Sequence, residues 1–324
     1  MPAALDSKTS PDFIQHYVEN QSAVRAELQQ GLLATRATTS PKYLYDALGS
    51  RLFEAITELP EYYPTRVEAS IFEQFLPDMA KTAGLGHTLI DLGAGNCEKA
   101  ARMFGALHPA KYVAVDISVE FLKQALTSLQ RQNPDLPMLG LGMDFSSNLA
   151  LPPEVGEGSR LFFYPGSSIG NFTPADALLF LKQIHSACKG QGGLLIGVDL
   201  VKSSTVLQAA YDDALGVTAA FNRNMLLHIN KLLGSDFNIN QWQHRALFNT
   251  QLSRIEMHLD ALEDLTVRWP GGERKFAIGE GIHTENSYKY TVDSFTQLLK
   301  NAGFQTVKPW QDAHQQFCVL WAKS

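Results

Sequence analysis

The chain has no stretch approaching the roughly 20 consecutive apolar residues of a membrane-spanning helix. Its opening, MPAALDSKTSPDF, has no positive segment followed by an apolar core, so neither a membrane partner nor a secretory leader is expected. No run of Lys or Arg is long enough to act as a basic arm, and the formal net charge is −6. Without an electrostatic footprint for a polyanion, no nucleic-acid partner is expected. Cysteine is scarce. Cys97, Cys188 and Cys318 are odd in number, far apart and outside any CxxC or His-rich spacing, which argues against a disulfide framework and against a metal site. Internal repeats are also lacking. What is there is a chain of 324 residues with 45% hydrophobic composition, enough for one large core or two ordinary ones. It is read as a cytoplasmic, globular monomer acting on a small molecule.

From about 88 to 200, short apolar runs alternate with helical stretches: 88–93, then a helix over 96–107; 111–116, then 118–131; 138–144; 160–165, then 174–188; and 193–199. That alternation predicts a parallel sheet with helices on both faces. Segment 203–232 reads as mostly helical with Gly234 as its stop, and 242–279 reads as strands with alternating side chains, as in RIEMHLDAL. This block breaks the pattern. The last stretch, SFTQLLKNAGFQTVKPWQDAHQQFCVLWAKS, reads as a helix ending near Gly303, a strand, a turn and a final strand. It returns to the first domain. The expected division is 66–200 plus 288–324 as one domain and 12–65 plus 201–287 as a second, discontinuous α+β domain, with 1–11 as a tail. A cleft between two such lobes suits a small-molecule site.

The sharpest local signal is LIDLGAGNCEKA at 89–100, where an apolar strand runs into Gly93-Ala94-Gly95 and then a helix. Glycines there let the backbone approach a ligand with no Cβ in the way. The next strand, KYVAVD, ends in Asp116, placed where an acid holds both hydroxyls of a ribose. A plain βα turn with an acidic helix cap is the structural alternative. For a dinucleotide the third glycine falls at position 98, which is Glu98, and a carboxylate at a helix N-terminus repels a pyrophosphate. The loop therefore favours S-adenosylmethionine, whose sulfonium and amino-acid end tolerate it. Asp144 and Phe145 end the third strand. The acid suits the adenine amine and the aromatic suits the base face; as structural residues they are a turn cap and core.

Several segments together resemble the amino-acid Nα-methyltransferases typified by the histidine-specific enzyme of ergothioneine biosynthesis. They are YDALGSRLFEAITELPEYYPTR (45–66), DLGAGNCEK (91–99), PGSSIGN (165–171), DLVKS (199–203), AAYDDALGVTAAFNRN (209–224), RIEM (254–257) and GEGIHTENSYK (279–289). The resemblance covers nearly the whole chain. It implies an α/β fold with a Rossmann-like class I methyltransferase sheet, whose closing helix and two strands end antiparallel. It implies that Gly93, Lys99, Asp116, Asp144 and Phe145 contact S-adenosylmethionine, which leaves as S-adenosylhomocysteine. It also implies that Tyr45, Tyr62, Gly166, Asn171, Tyr211, Met257, Glu285 and Ser287 line the amino-acid pocket. The implied activity is three methyl transfers to the α-amino nitrogen of L-histidine, giving Nα,Nα,Nα-trimethylhistidine (hercynine), a step toward ergothioneine.

The residues themselves allow these roles beside plainer ones. Pro64 disfavours the α conformation for Tyr63, so the Tyr62-Tyr63 pair is expected to be extended, its rings on opposite sides. By resemblance Tyr62 faces the imidazole and Tyr63 packs. Asn171 follows a strand end, where ligands sit in an open α/β sheet. Its amide offers donors to a carboxylate and an acceptor to an amine, with Tyr211 sharing the carboxylate and the Gly166 carbonyl orienting the amine. A helix cap before Thr173-Pro174 is the structural alternative. Glu285 and Ser287, two apart, project from one face of an extended segment, either toward the imidazole or as a solvated strand face. Met257 alternates with Ile255 and Leu259 and is core on pattern alone.

Methyl transfer from a sulfonium is an in-line displacement, which demands a neutral amine, alignment and exclusion of water rather than a covalent nucleophile. Asn171 aligns the amine, and its proton leaves to bulk water or through a polar group such as Tyr45. No dedicated base is assigned. Three rivals stay open: an enzyme for another free amino acid; a nucleic-acid or protein methyltransferase, opposed by the absence of a basic face and by YPGSS at 164–168 in place of [DN]PP[YF]; and a non-catalytic cofactor-binding subunit.

Overall fold

The computed structural model describes residues 10–15, 20–146 and 148–324. Strand β1 (Asp12–Gln15) and helices α1 (Gln21–Leu33), α2 (Ala47–Thr57) and α3 (Tyr63–Ala83) precede β2 (Thr88–Leu92). Two single-turn helices follow, α4 (Glu98–Ala101) and α5 (Phe104–Leu107), then β3 (Lys111–Asp116), α6 (Val119–Gln132) and β4 (Met138–Gly142). Next come β5 (Arg160–Tyr164), α7 (Pro174–Ala187), β6 (Gly192–Asp199), α8 (Ser204–Ala209) and α9 (Val217–Leu233). Five strands succeed one another: β7 (Trp242–Asn249), β8 (Arg254–Ala261), β9 (Leu265–Trp269), β10 (Gly272–Phe276) and β11 (Gly281–Tyr288). The chain closes with α10 (Val292–Asn301), β12 (Thr306–Gln311) and β13 (Phe317–Lys323).

Eight strands form one sheet in the order β1-β4-β3-β2-β5-β6-β13-β12. The pairs from β1 to β6 are parallel, and β13 runs antiparallel to both β6 and β12. Because side chains alternate along a strand, each strand feeds both faces. Ile90, Leu92, Phe162 and Tyr164 pack with Phe180 of α7 and Phe295 of α10, whereas Leu89, Leu161 and Phe163 pack with Ile71 of α3 and Leu122 of α6. Burying each such side chain contributes about 1.5–3 kcal/mol. The strand order reverses between β2 and β5, so a crevice opens beyond their carboxyl ends.

A second core gathers Leu28 and Leu44 with Phe221, Met225, Trp242 and Leu259. Here β8 pairs antiparallel with β7 and β11, while β9 and β10 form a separate hairpin. Strand β11 is seated directly against the turn after β5. A Cβ on Gly170 would lie 2.8 Å from the Tyr288 carbonyl oxygen, so only glycine allows the two backbones to approach this closely. The second core is thereby locked to the crevice. Among the described residues no helix is long and apolar enough to cross a membrane.

The structure departs from expectation in three places. Asp12–Gln15 pairs with β4 at the edge of the large sheet, although 12–65 was assigned to the second domain; four residues carry too little periodicity to declare a strand. Of the expected tail 1–11, residues 1–9 lie outside the described residues. The 96–107 helix is split into α4 and α5, with Cys97 at φ 63° before the first. Segment 203–232 is mostly helical, as expected, in the two pieces α8 and α9, between which the Asp213 carboxylate accepts the Val217 and Thr218 amides. Gly234, at φ 75°, does close α9. Lastly, Tyr63 is not extended: it opens α3, and Pro64 falls in the first turn, where a missing N–H costs nothing.

Candidate functional site

Beyond β2 the chain turns through Gly93 (φ 72°) and Gly95 (φ 52°), a conformation that favours glycine. The Gly93 and Ala94 amides donate to the Val115 carbonyl, tying this loop to the end of β3. Asp116, the last residue of β3, accepts the Gly95 amide at 2.9 Å and the Ser118 amide at 2.8 Å. Burial pushes its carboxyl up, and these backbone donors oppose the shift. The loop, Lys99, Asp116, Asp144 and Phe145 all border one cavity of about 1620 Å³. The Phe145 ring meets Tyr164 edge-on with centroids 5.9 Å apart. Asp144 accepts the Ser146 amide at 3.1 Å, so it caps a turn while also facing the cavity.

Two acids on this cavity escaped the sequence reading. Asp91 Oδ2 accepts the Tyr112 hydroxyl at 2.8 Å, whereas Oδ1 is buried with no protein partner. Burial pushes the Asp91 carboxyl up to about 7. A buried carboxylate oxygen lacking a donor is costly, and it suits the ammonium at the amino-acid end of S-adenosylmethionine. The donor set fits that cofactor. Glu68 of α3, 1% exposed, binds Lys99 Nζ at 2.7 Å with one oxygen and the Gly166 amide at 2.7 Å with the other. It thus joins the glycine loop to the turn after β5.

A second, smaller cavity of about 50 Å³ adjoins the first. Tyr45, Tyr62, Gly166 and Asn171 border both cavities, and Tyr211, Met257, Glu285 and Ser287 border the smaller one. The volume holds roughly four water-sized groups, so a side chain fits within it and the remainder of a ligand must occupy the shared mouth. Asn171 ends the turn Ser168–Asn171, but Thr173 is the residue that caps α7, accepting the Asp176 amide at 3.2 Å. The cap alternative for Asn171 is thereby taken by another residue. Glu285 and Met257 are register partners on β11 and β8. Glu285 is 8% and Ser287 3% exposed, which rules out a solvated strand face. Burial pushes the Glu285 carboxyl up to about 7, and Lys289 opposes the rise.

Tyr45 packs edge-on against Phe53 and Phe221, with centroids 5.6 and 5.5 Å away. Tyr62 packs against Phe53 and Tyr211. Burial, then the Glu285 charge, holds the Tyr45 phenol well above its usual range; for Tyr62, burial acts first, then Tyr211. Both hydroxyls therefore stay neutral. Tyr63, expected only to pack, donates its hydroxyl to Asp199 at 2.7 Å. Asp199 also binds Lys202 and Lys289, and Lys289 reaches Tyr211 and Ser287. The DLVKS and SYK segments contained these residues without any local pattern to mark them. Among the described residues Glu256, His258 and His283 also cluster within 4.8 Å. Arg254 already holds Glu256 at 2.6 Å, and its cation opposes a metal ion there.

A parallel sheet closed by an antiparallel strand, with a glycine loop, a β3 acid and two joined cavities at the strand ends, defines a Rossmann-like methyltransferase. The chain matches the model of the histidine-specific, S-adenosylmethionine-dependent methyltransferases over residues 24–324, and it belongs to that family. It is 37% identical to the histidine N-alpha-methyltransferase of Mycolicibacterium smegmatis, over 91% of this chain and 93% of that one. It is 30% identical to ergothioneine biosynthesis protein 1 of Neurospora crassa, over 87% of this chain and 32% of that longer protein. N-methyltransferase dtpB of Aspergillus flavus is 27% identical, over 91% and 87% respectively.

Proposed function

We propose that this protein transfers methyl groups from S-adenosylmethionine to the α-amino nitrogen of L-histidine, three times, giving Nα,Nα,Nα-trimethylhistidine (hercynine), a step toward ergothioneine. The observation that carries the reading is Glu285, a buried carboxylate beside Ser287 and across from Met257, in a small cavity that opens toward the glycine loop. A carboxylate closed off from water requires a donor from its ligand, and an imidazole N–H supplies one. S-adenosylmethionine supplies an electrophilic methyl group on a sulfonium. Asp116 holds the ribose, Gly93 and Lys99 the amino-acid end, and Asp144 with Phe145 the adenine. Asn171 and Tyr211 hold the substrate carboxylate, the Gly166 carbonyl orients the amine, and Tyr62 bonds the imidazole. The amine proton leaves to bulk water, directly or by way of Tyr45, whose phenol stays neutral and so is no phenolate base. The cofactor domain is 66–200 with 288–324, joined by β1, and it lends Gly166 and Asn171 to the amino acid, whose other contacts come from 12–65 with 201–287. The enzyme works in the cytoplasm as a monomer and uses no metal.

A second reading, N-methylation of a different free amino acid, is favoured by the fungal relative named only as an N-methyltransferase. Mass spectrometry after incubation with S-adenosylmethionine and the twenty free amino acids separates the two. Trimethylated histidine as the dominant product supports the proposal; a different methylated amino acid overturns it.

A further inference from the structure

Lys289, the residue after β11, has a fully buried side chain whose ammonium lies among three oxygens. Asp199 Oδ2 is at 2.7 Å, Ser287 Oγ at 2.9 Å and Tyr211 Oη at 3.0 Å. An ammonium carries three donors and no acceptor, so each N–H is committed and both hydroxyl oxygens accept from it. Those two oxygens are themselves 2.7 Å apart, a hydrogen-bond distance at which one hydroxyl donates to the other. Of the two hydroxyl protons, one is used within the pair. A single O–H remains for a ligand.

We propose that Lys289 is a positioning residue for substrate recognition: by filling an acceptor site on both Tyr211 and Ser287, it leaves the pair one proton to give and so fixes which part of the amino acid receives it. This rests on the histidine reading above. The α-carboxylate, a charged acceptor, takes that proton from Tyr211. Ser287 then donates to Tyr211 and turns a lone pair toward the ring. Glu285 is an acceptor too. Pairing with the ring cation keeps Glu285 ionised, and Tyr62, which also borders the larger cavity, gives its own proton outward and accepts from the ring, so the ring meets three acceptors and binds as imidazolium with both N–H groups engaged.

The charge balance makes a test practical. Asp199 is shared by two cations, Lys289 and Lys202, and also accepts the Tyr63 hydroxyl. Lys289→Met keeps the long stem and leaves Asp199 and Lys202 as a matched pair, so the variant is expected to fold. Its KM for histidine is expected to rise about tenfold or more, with kcat changed less than about threefold and S-adenosylhomocysteine affinity within about twofold. Histidine labelled with nitrogen-15 and bound to the wild type with S-adenosylhomocysteine is expected to show both ring nitrogens protonated. In Lys289→Met, Ser287 is free to donate, and one ring nitrogen is expected to lose its proton. An unchanged KM in the folded variant overturns the proposal, as does an unprotonated ring nitrogen in the wild type; the second measurement needs no variant. Wild-type protein that neither binds nor methylates histidine overturns the substrate reading itself, an outcome distinct from either of these, which leave wild-type turnover intact.

Discussion

Glu68 on α3 and Lys99 on α4 form an ion pair 2.7 Å long on the wall of the large cavity, and the other Glu68 oxygen holds the Gly166 amide. One buried carboxylate therefore sets the spacing between the glycine loop and the turn after β5. Glu68→Gln keeps an acceptor for Gly166 but loses the charge. Lys99 is partly exposed, so the loss is expected near the low end for a half-buried pair, about 1–2 kcal/mol. Both S-adenosylhomocysteine and histidine affinity are expected to fall, as read by calorimetry. A loss confined to one ligand would show that Glu68 does not couple the two half-sites.

Asp116 commits both carboxylate oxygens to backbone amides at Gly95 and Ser118, yet oxygen lone pairs remain for a ribose. Asp116→Ala is expected to weaken S-adenosylhomocysteine binding by about 1–3 kcal/mol. Unchanged affinity in a folded variant removes the ribose role.

The parallel sheet was legible because its strands are buried on both faces and read as short apolar runs between helices. The glycine loop and Asp116 were legible for a similar reason, since their spacing follows from strand and loop geometry. The smaller cavity was not. Glu285, Ser287 and Met257 become neighbours of Asn171 only through the close approach of β11 to Gly170, a tertiary contact with no local signature, and it was resemblance that named them. Glu68 and Lys289 were missed because an acid on a helix and a lysine after a strand look like surface residues until burial is known. Tyr63 was misread because the restriction that Pro64 places on its neighbour yields to the demands of a helix start.

Asn171 borders both cavities but caps no helix. Asn171→Ala is expected to cut kcat/KM for histidine by about ten- to hundredfold, while S-adenosylhomocysteine affinity changes little, because the nucleophile is misplaced and the methyl donor is untouched. Equal losses in both would assign Asn171 to the cofactor.

Burial lifts the Glu285 carboxyl from the ordinary glutamate value of 4.5 to about 7. A raised folded-state value means the folded protein holds the proton more tightly, so this contribution to stability is full below the unfolded value and fades as pH rises through about 7. Glu285→Gln removes the ionisation penalty. Its melting temperature relative to wild type is expected to improve between pH 5 and pH 8, by the equivalent of about 1–3 kcal/mol. A constant difference across that range would mean that Glu285 titrates normally.

The proposed function also makes this carboxylate the reader of the substrate side chain. If Glu285 reads the imidazole, Glu285→Ala is expected to cost histidine roughly 1–3 kcal/mol of transition-state binding. Tryptophan and phenylalanine never satisfy that carboxylate, so they are expected to lose much less or to gain, since its desolvation penalty goes with it. Met257 lies opposite Glu285 in the register and leaves an apolar wall once the acid is gone. The measurement is the ratio of kcat/KM for histidine to that for each aromatic amino acid, in wild type and variant. A fall in this ratio ties the acid to the ring. If both rates drop together and the ratio holds, Glu285 supports the fold of the pocket and the choice of histidine must reside elsewhere.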